Sequence, residues 1–192
     1  MIDRRDLIRR AALILGGSLS AGAIAGVLSG CASAPEGQSS ASQYLVADES
    51  LSVTALCDRI LPRTDTPGAV DVGVVSFLDR MMAEFYGDTE RSTVRAGLTR
   101  VNEEALSQHG QRFHRLPPAK QIALMTTFDE EATAQNRTPG APLHFFRIIK
   151  ELTILGFFTS EYGASQFLRY DPIPGPYRAD VPYSEVGRAF AT

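Results

Sequence analysis

The side chains that usually carry metal or redox chemistry are few in this sequence. Its 192 residues include two cysteines and three histidines, which are Cys31, Cys57, His109, His114 and His144. The spacing of five between His109 and His114 does not place two imidazoles on one helical face. The sequence has no haem-attachment pattern, no serine in a glycine-framed elbow and no glycine-rich loop that leads into a helix. We therefore expect no catalytic, cofactor-binding or metal-binding residues in this chain.

One cysteine is nevertheless placed for covalent chemistry. Leu28-Ser29-Gly30-Cys31 resembles a bacterial lipobox, in which an apolar residue and two small ones precede the cysteine that receives a diacylglyceryl group. The residues that follow Cys31 are small and polar and cannot bury apolar surface, so we expect a flexible tether over 31–46. The alternative is a cysteine that merely follows a signal peptide.

The residues before Cys31 have the character of an export signal. Residues 3–9 read Asp-Arg-Arg-Asp-Leu-Ile-Arg, and the arginine pair Arg4-Arg5 resembles a twin-arginine signal, with Asp3 and Leu7 in place of its usual Ser/Thr and Phe. The uncharged stretch 11–30 is only weakly hydrophobic, with five glycines and three serines among twenty residues. The twin-arginine route tolerates such a stretch and exports proteins that are already folded. We expect residues 1–30 to be this signal, and chance pairing of two arginines is the alternative.

The charge is distributed unevenly along the chain. Of 19 basic and 22 acidic residues, four arginines and two aspartates lie in residues 1–30, which leaves 15 basic and 20 acidic residues beyond them. An acidic domain is not typical of a nucleic-acid binder, so we expect no nucleic-acid partner. Together with the signal and Cys31, the sequence predicts a periplasmic protein that a lipid on Cys31 anchors to the membrane.

Beyond the tether, the apolar residues recur with helical spacing. They predict five helices, in the regions of residues 48–61, 74–87, 89–109, from Pro117-Pro118 onward, and about 142–162. Asp48 or Ser50 is expected to cap the first. The fifth is apolar nearly all round, which is typical of a central helix or of one that a partner covers. Prolines favour an extended tail from Arg169 onward. We expect a single all-α domain over residues 47–192.

Two reactive side chains fall on these predicted helices. Cys57 lies on the apolar stripe of the first helix, which favours a buried thiol over a reactive or intersubunit one. His144 stands at the start of the apolar fifth helix, where a core histidine with satisfied hydrogen bonds is expected.

Three stretches of the sequence together resemble the gluconate 2-dehydrogenase subunit 3 family. They are Cys57 to Ala69 with the following Gly73-Val74, Lys150 to Ala164, and Tyr170-Asp171-Pro172-Ile173-Pro174-Gly175. The family comprises the small gamma subunits of membrane-bound, FAD-dependent sugar and sugar-acid dehydrogenases. The resemblance implies a glucose–methanol–choline-type flavoprotein as catalytic partner, which holds the FAD, and a multihaem cytochrome c as electron acceptor. Family members often carry a cysteine just after the last motif, and residues 176–181 here have none.

The family motifs include two candidate partner-contact regions. The first is a turn in which Pro67 fixes φ and Gly68 is free to take a positive φ, and it either joins two helices or contacts a partner. The second region, residues 170–175, is rigid and aromatic, and it either docks on a partner or folds onto its own domain. The candidate residues are Asp65, Pro67, Gly68, Tyr170, Asp171, Pro172, Pro174 and Gly175.

The resemblance implies a non-catalytic subunit that supports folding, twin-arginine export and anchoring of the flavoprotein. The alternative is an independent helical periplasmic lipoprotein that acts as a binding or envelope-interaction module.

Overall fold

The described part of the chain is a bundle of helices. A computed structural model describes residues 43–173, 175–176 and 180–191. The α-helices are α1 (Ala47–Ile60), α2 (Val74–Glu84), α3 (Asp88–His109), α4 (Pro118–Asn136), α5 (Phe145–Thr159) and the four-residue α6 (Tyr183–Val186). A 3₁₀ turn (Phe113–Arg115) and a π-helical turn (Gly163–Phe167) complete the helical elements. No β-strand occurs in these residues, so the all-α prediction is confirmed.

The helix α5 is the centre of the bundle. It packs against each of the other four long helices, α1 to α4. Eight of its fifteen residues are buried, and they are Phe145, Phe146, Ile148, Ile149, Leu152, Thr153, Gly156 and Phe157. Burial of each large apolar side chain contributes roughly 1.5–3 kcal/mol to folding. The apolar pattern of the fifth predicted helix therefore reflects its central position, although Ile154 and Leu155 stay exposed.

Two glycines let aromatic rings approach the helix backbone in this packing. A Cβ at Gly97 of α3 would lie 2.0 Å from Cγ of Phe145, and one at Gly156 of α5 would lie 2.6 Å from Cδ1 of Phe77. Phe145 in turn makes an edge-to-face contact with Phe128 of α4, with ring centroids 5.3 Å apart. The close approach of α3 to α5 thus depends on the missing side chain at Gly97.

A buried carboxylate on α2 holds the residues that precede α1. Oδ1 of Asp79 accepts hydrogen bonds from the backbone N–H groups of Tyr44 and Leu45 at 2.9 and 2.7 Å, and Oδ2 accepts one from that of Gln43 at 2.8 Å. The side chain of Leu45 is buried in the core. The tether expected over 31–46 lies outside the described residues up to residue 42, whereas the backbone of residues 43–45 is hydrogen-bonded to Asp79.

The helix ends differ in detail from the sequence-based expectations. The helix α1 begins after Val46, whose backbone N–H donates to Oε2 of Glu49 at 3.0 Å, so neither Asp48 nor Ser50 is its N-cap. The helix α2 ends at Glu84 rather than near Gly87, because Arg91 of α3 donates to the carbonyl oxygens of Met82 and Ala83. The bond to Glu49 is a local capping contact, whereas the contacts of Arg91 join two helices, and apolar periodicity encodes neither.

The C-terminal tail is extended only in part. The four-residue helix α6 follows Pro182, which has a φ of −58° that suits the start of a helix. Further on, Phe190 forms a parallel β-bridge with Arg169, in which the N–H of Arg169 donates to the carbonyl of Ala189 at 2.8 Å. The guanidinium of Arg169 also lies 5.1 Å from the centroid of the Phe190 ring. The end of the tail therefore returns to the domain.

The variant Gly97→Ala tests the close packing of α3 on α5. The added methyl group would overlap the buried Phe145 ring, so we expect a loss of about 1–3 kcal/mol in the free energy of unfolding. Chemical denaturation measures this loss, and Ser107→Ala on the exposed face of the same helix should cost nothing. Adding Phe145→Leu to Gly97→Ala should restore part of the packing, and a Gly97→Ala protein as stable as the wild type would contradict this account.

Candidate partner-binding surfaces

The loop between α1 and α2 is held by backbone hydrogen bonds, such as that from Ala69 to the carbonyl of Leu61 at 2.9 Å, and by one carboxylate. Oδ2 of Asp71 accepts hydrogen bonds from Nε of Arg63 and from the backbone N–H of Gly68, both at 2.8 Å. The second guanidinium nitrogen of Arg63 reaches the other oxygen of Asp71. The hydrogen bond from Arg63 is the main reason that the pKa of Asp71 lies below its usual value, and the bond from Gly68 adds to it. The loop therefore keeps one shape while its outer face is in solvent.

The three candidate residues of this loop have different roles. Asp65 is exposed, Pro67 is half-buried and Gly68 is buried. A Cβ at Gly68 would lie 2.6 Å from the backbone nitrogen of Arg63, so the glycine is needed because two backbone segments approach closely. Gly68 does not use the positive φ that is open to a glycine. Of the three, Asp65 has the side chain that is most open to a partner.

The second candidate region, residues 170–175, carries two of the most exposed apolar side chains of the domain. Tyr170 is 62% exposed and Ile173 is 84% exposed. Pro172 is exposed as well, and Oδ1 of Asp171 accepts the backbone N–H of Ile173 at 3.2 Å, which makes a local turn. Gly175 has a φ of 72°, and Pro174 lies outside the described residues. We call Tyr170–Ile173 the docking segment.

The docking segment begins at a fixed point. Arg169 pairs with Phe190 in the β-bridge, and Nη1 of Arg188 donates to the carbonyl of Gln166 at 2.6 Å. Just before it, the ring of Phe167 contacts those of Phe157 and Phe158, with centroids 5.6 and 5.5 Å away. The segment is thus held at its base by the core of the domain, while its apolar side chains face solvent. In the described residues, no hydrogen bond, ion pair or ring contact joins it to the α1–α2 loop.

Comparison with known proteins identifies the family of this fold. The family description "Gluconate 2-dehydrogenase subunit 3" matches residues 47–175, which include all five long helices, the α1–α2 loop and the docking segment. The chain belongs to the gluconate 2-dehydrogenase subunit 3 family. Neither the curated proteins nor the solved structures include a match to it. The name of the family is that of a subunit of a dehydrogenase complex, which agrees with an accessory role for this chain.

Of the two cysteines of this subunit 3 protein, Cys57 lies within the described residues, and it is buried as predicted. Cys57 is fully buried, and its Sγ lies 3.4 Å from Oγ1 of Thr153 on α5. Burial raises the pKa of the thiol to about 11. A thiol that stays protonated at neutral pH is a weak nucleophile, so Cys57 packs as a small apolar residue. The signal residues Arg4 and Arg5 and the lipidation candidate Cys31 lie outside the described residues.

The histidine at the start of α5 is part of a polar network that the sequence did not reveal. Nδ1 of His144 accepts the backbone N–H of Phe146 at 3.3 Å and so caps the helix, while Nε2 lies 3.5 Å from Oε2 of Glu131. Glu131 also accepts two hydrogen bonds from the guanidinium of Arg100, at 2.6 and 2.8 Å. Burial is the main cause that lowers the pKa of His144, although Glu131 opposes it. The network ties α3, α4 and the start of α5 together.

The described residues contain no group of three or more His, Cys, Asp or Glu side chains that could hold a metal ion. Among their helices, none is both long enough and apolar enough for a bilayer crossing.

The cap by His144 predicts an acid-sensitive stability. Protonation of Nδ1 would remove the acceptor for Phe146 and place a positive charge at a helix N-terminus. Because the pKa of His144 is lower in the folded state than the unfolded value of 6.5, the unfolded chain takes up the proton first. Stability should therefore be lost as the pH falls below about 6.5.

Urea unfolding between pH 7.5 and 5.5 measures this loss. His144→Asn keeps a side-chain acceptor for the cap but does not titrate, so its stability should fall less with acid than that of the wild type. Ser107→Ala, on the exposed face of α3, should show the pH dependence of the wild type. If the free energy of unfolding depends on pH equally in the wild type and in His144→Asn, the His144 cap is not the cause of the acid sensitivity.

Proposed function

We propose that this chain is the non-catalytic small subunit of a periplasmic, membrane-associated dehydrogenase complex that oxidises a sugar or sugar acid with FAD. Membership of the subunit 3 family carries the proposal. The catalytic partner is a glucose–methanol–choline-type flavoprotein, which holds the FAD, and a multihaem cytochrome c accepts the electrons. The small subunit supports the folding of the flavoprotein, its export and its anchoring.

The docking segment supports this role as a contact surface. Full burial of an exposed Ile or Tyr side chain at an interface is worth roughly 1.5–3 kcal/mol before the cost of ordering. That cost is reduced at the base of the segment, which the Arg169–Phe190 bridge and the Phe167 ring contacts hold. The segment therefore offers the exposed side chains of Tyr170 and Ile173 as anchors for a partner.

The export role rests on the N-terminal sequence. A twin-arginine signal exports folded proteins, so a flavoprotein can bind FAD in the cytoplasm and cross the membrane together with the subunit that carries the signal. After cleavage, a lipid on Cys31 would leave residues 31–42 between the membrane and Gln43, where Asp79 fixes the chain to the domain. Fully extended, these twelve residues span at most about 40 Å. The lipid therefore keeps the complex close to the membrane surface.

Replacement of Arg4-Arg5 by Lys-Lys tests the escort role. Loss of the arginine pair should stop export of this chain and of its flavoprotein partner together, and cell fractionation with dehydrogenase assays of each fraction measures both. Cys31→Ala should leave export intact and remove lipid labelling, and the complex should then either be released or stay at the membrane through the uncleaved signal. A flavoprotein that still reaches the periplasm in the Lys-Lys strain would contradict the escort role.

Ile173→Asp tests the docking segment. A carboxylate at the position of the most exposed apolar side chain would have to be desolvated at the interface, so we expect at least a tenfold weaker complex with the flavoprotein. Ile122→Asp places the same charge at an exposed position of α4 and should leave the affinity within about twofold. Affinity is measured by titration of the purified flavoprotein.

Two outcomes would contradict the proposal at different levels. Equal affinities of wild type and Ile173→Asp would remove the docking segment from the interface. A wild-type chain that purifies alone and monomeric would favour the alternative, an independent helical lipoprotein.

A further inference from the structure

A second surface, remote in sequence from the docking segment, has the chemistry of a binding pocket. A cavity of about 380 Å³ opens where the end of α3 and the 3₁₀ turn meet the first half of α1. Its walls combine apolar and charged side chains, including Leu51, Leu106, Asp48, Arg112, His114 and Arg115. We call it the α1–α3 pocket.

The floor of the α1–α3 pocket is apolar and open to solvent. Leu51 and Leu106 are 51% and 46% exposed, although both lie on helices whose opposite faces form the core. Two half-exposed leucines in one concave site leave apolar area that an occupant could cover, and a small inorganic anion would not cover it. The floor therefore favours an occupant with an apolar part.

The rim of the pocket is basic. Arg112 and Arg115 are three residues apart across a 3₁₀ turn, a spacing at which side chains lie on the same side. Arg112 is paired with Asp48, whereas no carboxylate of the described residues is within ion-pair distance of Arg115. In addition, Nδ1 of His114 is buried without a hydrogen-bond partner in this part of the chain. The rim thus has one guanidinium available for a single negative charge.

The turn that carries these groups is rigid. Phe113 is fully buried, its backbone N–H donates to Oδ1 of Asn102 at 3.2 Å, and its carbonyl accepts Nε2 of Gln121 at 3.0 Å. The residues on either side of Phe113 are therefore held in place before any partner arrives. A preorganised site loses less entropy on binding than a flexible one.

From this arrangement we propose that the α1–α3 pocket is a second contact of the small subunit with its flavoprotein, and that it receives a carboxylate side chain next to an apolar one. The inference rests on the proposed function for the identity of the partner. Arg115 pairs with the carboxylate, and Leu51 and Leu106 cover the apolar side chain. A membrane of anionic lipids is a poorer occupant, because a flat bilayer surface does not reach the leucines at the floor of a concave site.

The experiment compares charge reversals inside and outside the pocket. The probe is the FAD-containing polypeptide that purifies with the full-length wild-type chain, titrated against each variant by calorimetry. Arg115→Glu should weaken the complex at least tenfold, since the new carboxylate repels the partner's own. Arg137→Glu, an exposed arginine at the end of α4 outside the pocket, should stay within about twofold of wild type. Both arginines are exposed, and equal thermal unfolding temperatures would show that both variants fold.

A reciprocal change gives the sharpest support. Replacement of the partner's interface carboxylates by lysine, one at a time, should yield one variant that restores tight binding to Arg115→Glu. If Arg115→Glu binds the flavoprotein as tightly as the wild type, the pocket is not a contact, and the proposed function still stands. The same conclusion follows if Arg115 is needed for binding to anionic phospholipid vesicles while the affinity for the flavoprotein does not change. Failure of the wild-type chain to bind any flavoprotein would overturn the proposed function and this inference together.

Discussion

The packing of four helices on α5 is the constraint on which the rest of this structure depends. A helix that is apolar nearly all round can be buried only if other elements surround it, and α1 to α4 do so. Gly97 and Gly156 let neighbouring aromatic rings contact the helix backbone. At the partly buried start of α5, Nδ1 of His144 accepts the backbone N–H of Phe146. The same arrangement buries Cys57 against Thr153 and removes its thiol from solution chemistry.

The central helix also sets where the surface features lie. Its end continues through the Phe157, Phe158 and Phe167 rings to Arg169, so the docking segment starts from the core. The α1–α2 loop is held by backbone hydrogen bonds and by Asp71, and the 3₁₀ turn beside the α1–α3 pocket is held by buried Phe113. A domain with rigid, solvent-facing apolar groups is suited to binding a partner, because little order has to be gained on association.

The positions of the long helices could be predicted from the sequence, whereas the cap of α1 and the contacts between distant residues could not. Helical spacing located α3 to within one residue, and proline marked the start of α4. The role of Asp79 was hidden, because a carboxylate that accepts three backbone N–H groups from residues 43–45 looks the same in the sequence as a solvated one. The return of the tail to Arg169 and the pairing of Glu131 with Arg100 join distant residues, so no local pattern signals them.

The proposed function requires that the stable form of this subunit 3 protein is a complex with a flavin-containing polypeptide. Size-exclusion chromatography with light scattering and full absorption spectra, applied to the chain purified from its own membranes under mild detergent, tests it most directly. We predict a single species much heavier than the 20.8 kDa chain, with flavin absorption that co-elutes with sugar or sugar-acid dehydrogenase activity. A colourless species of the mass of one chain would contradict the account.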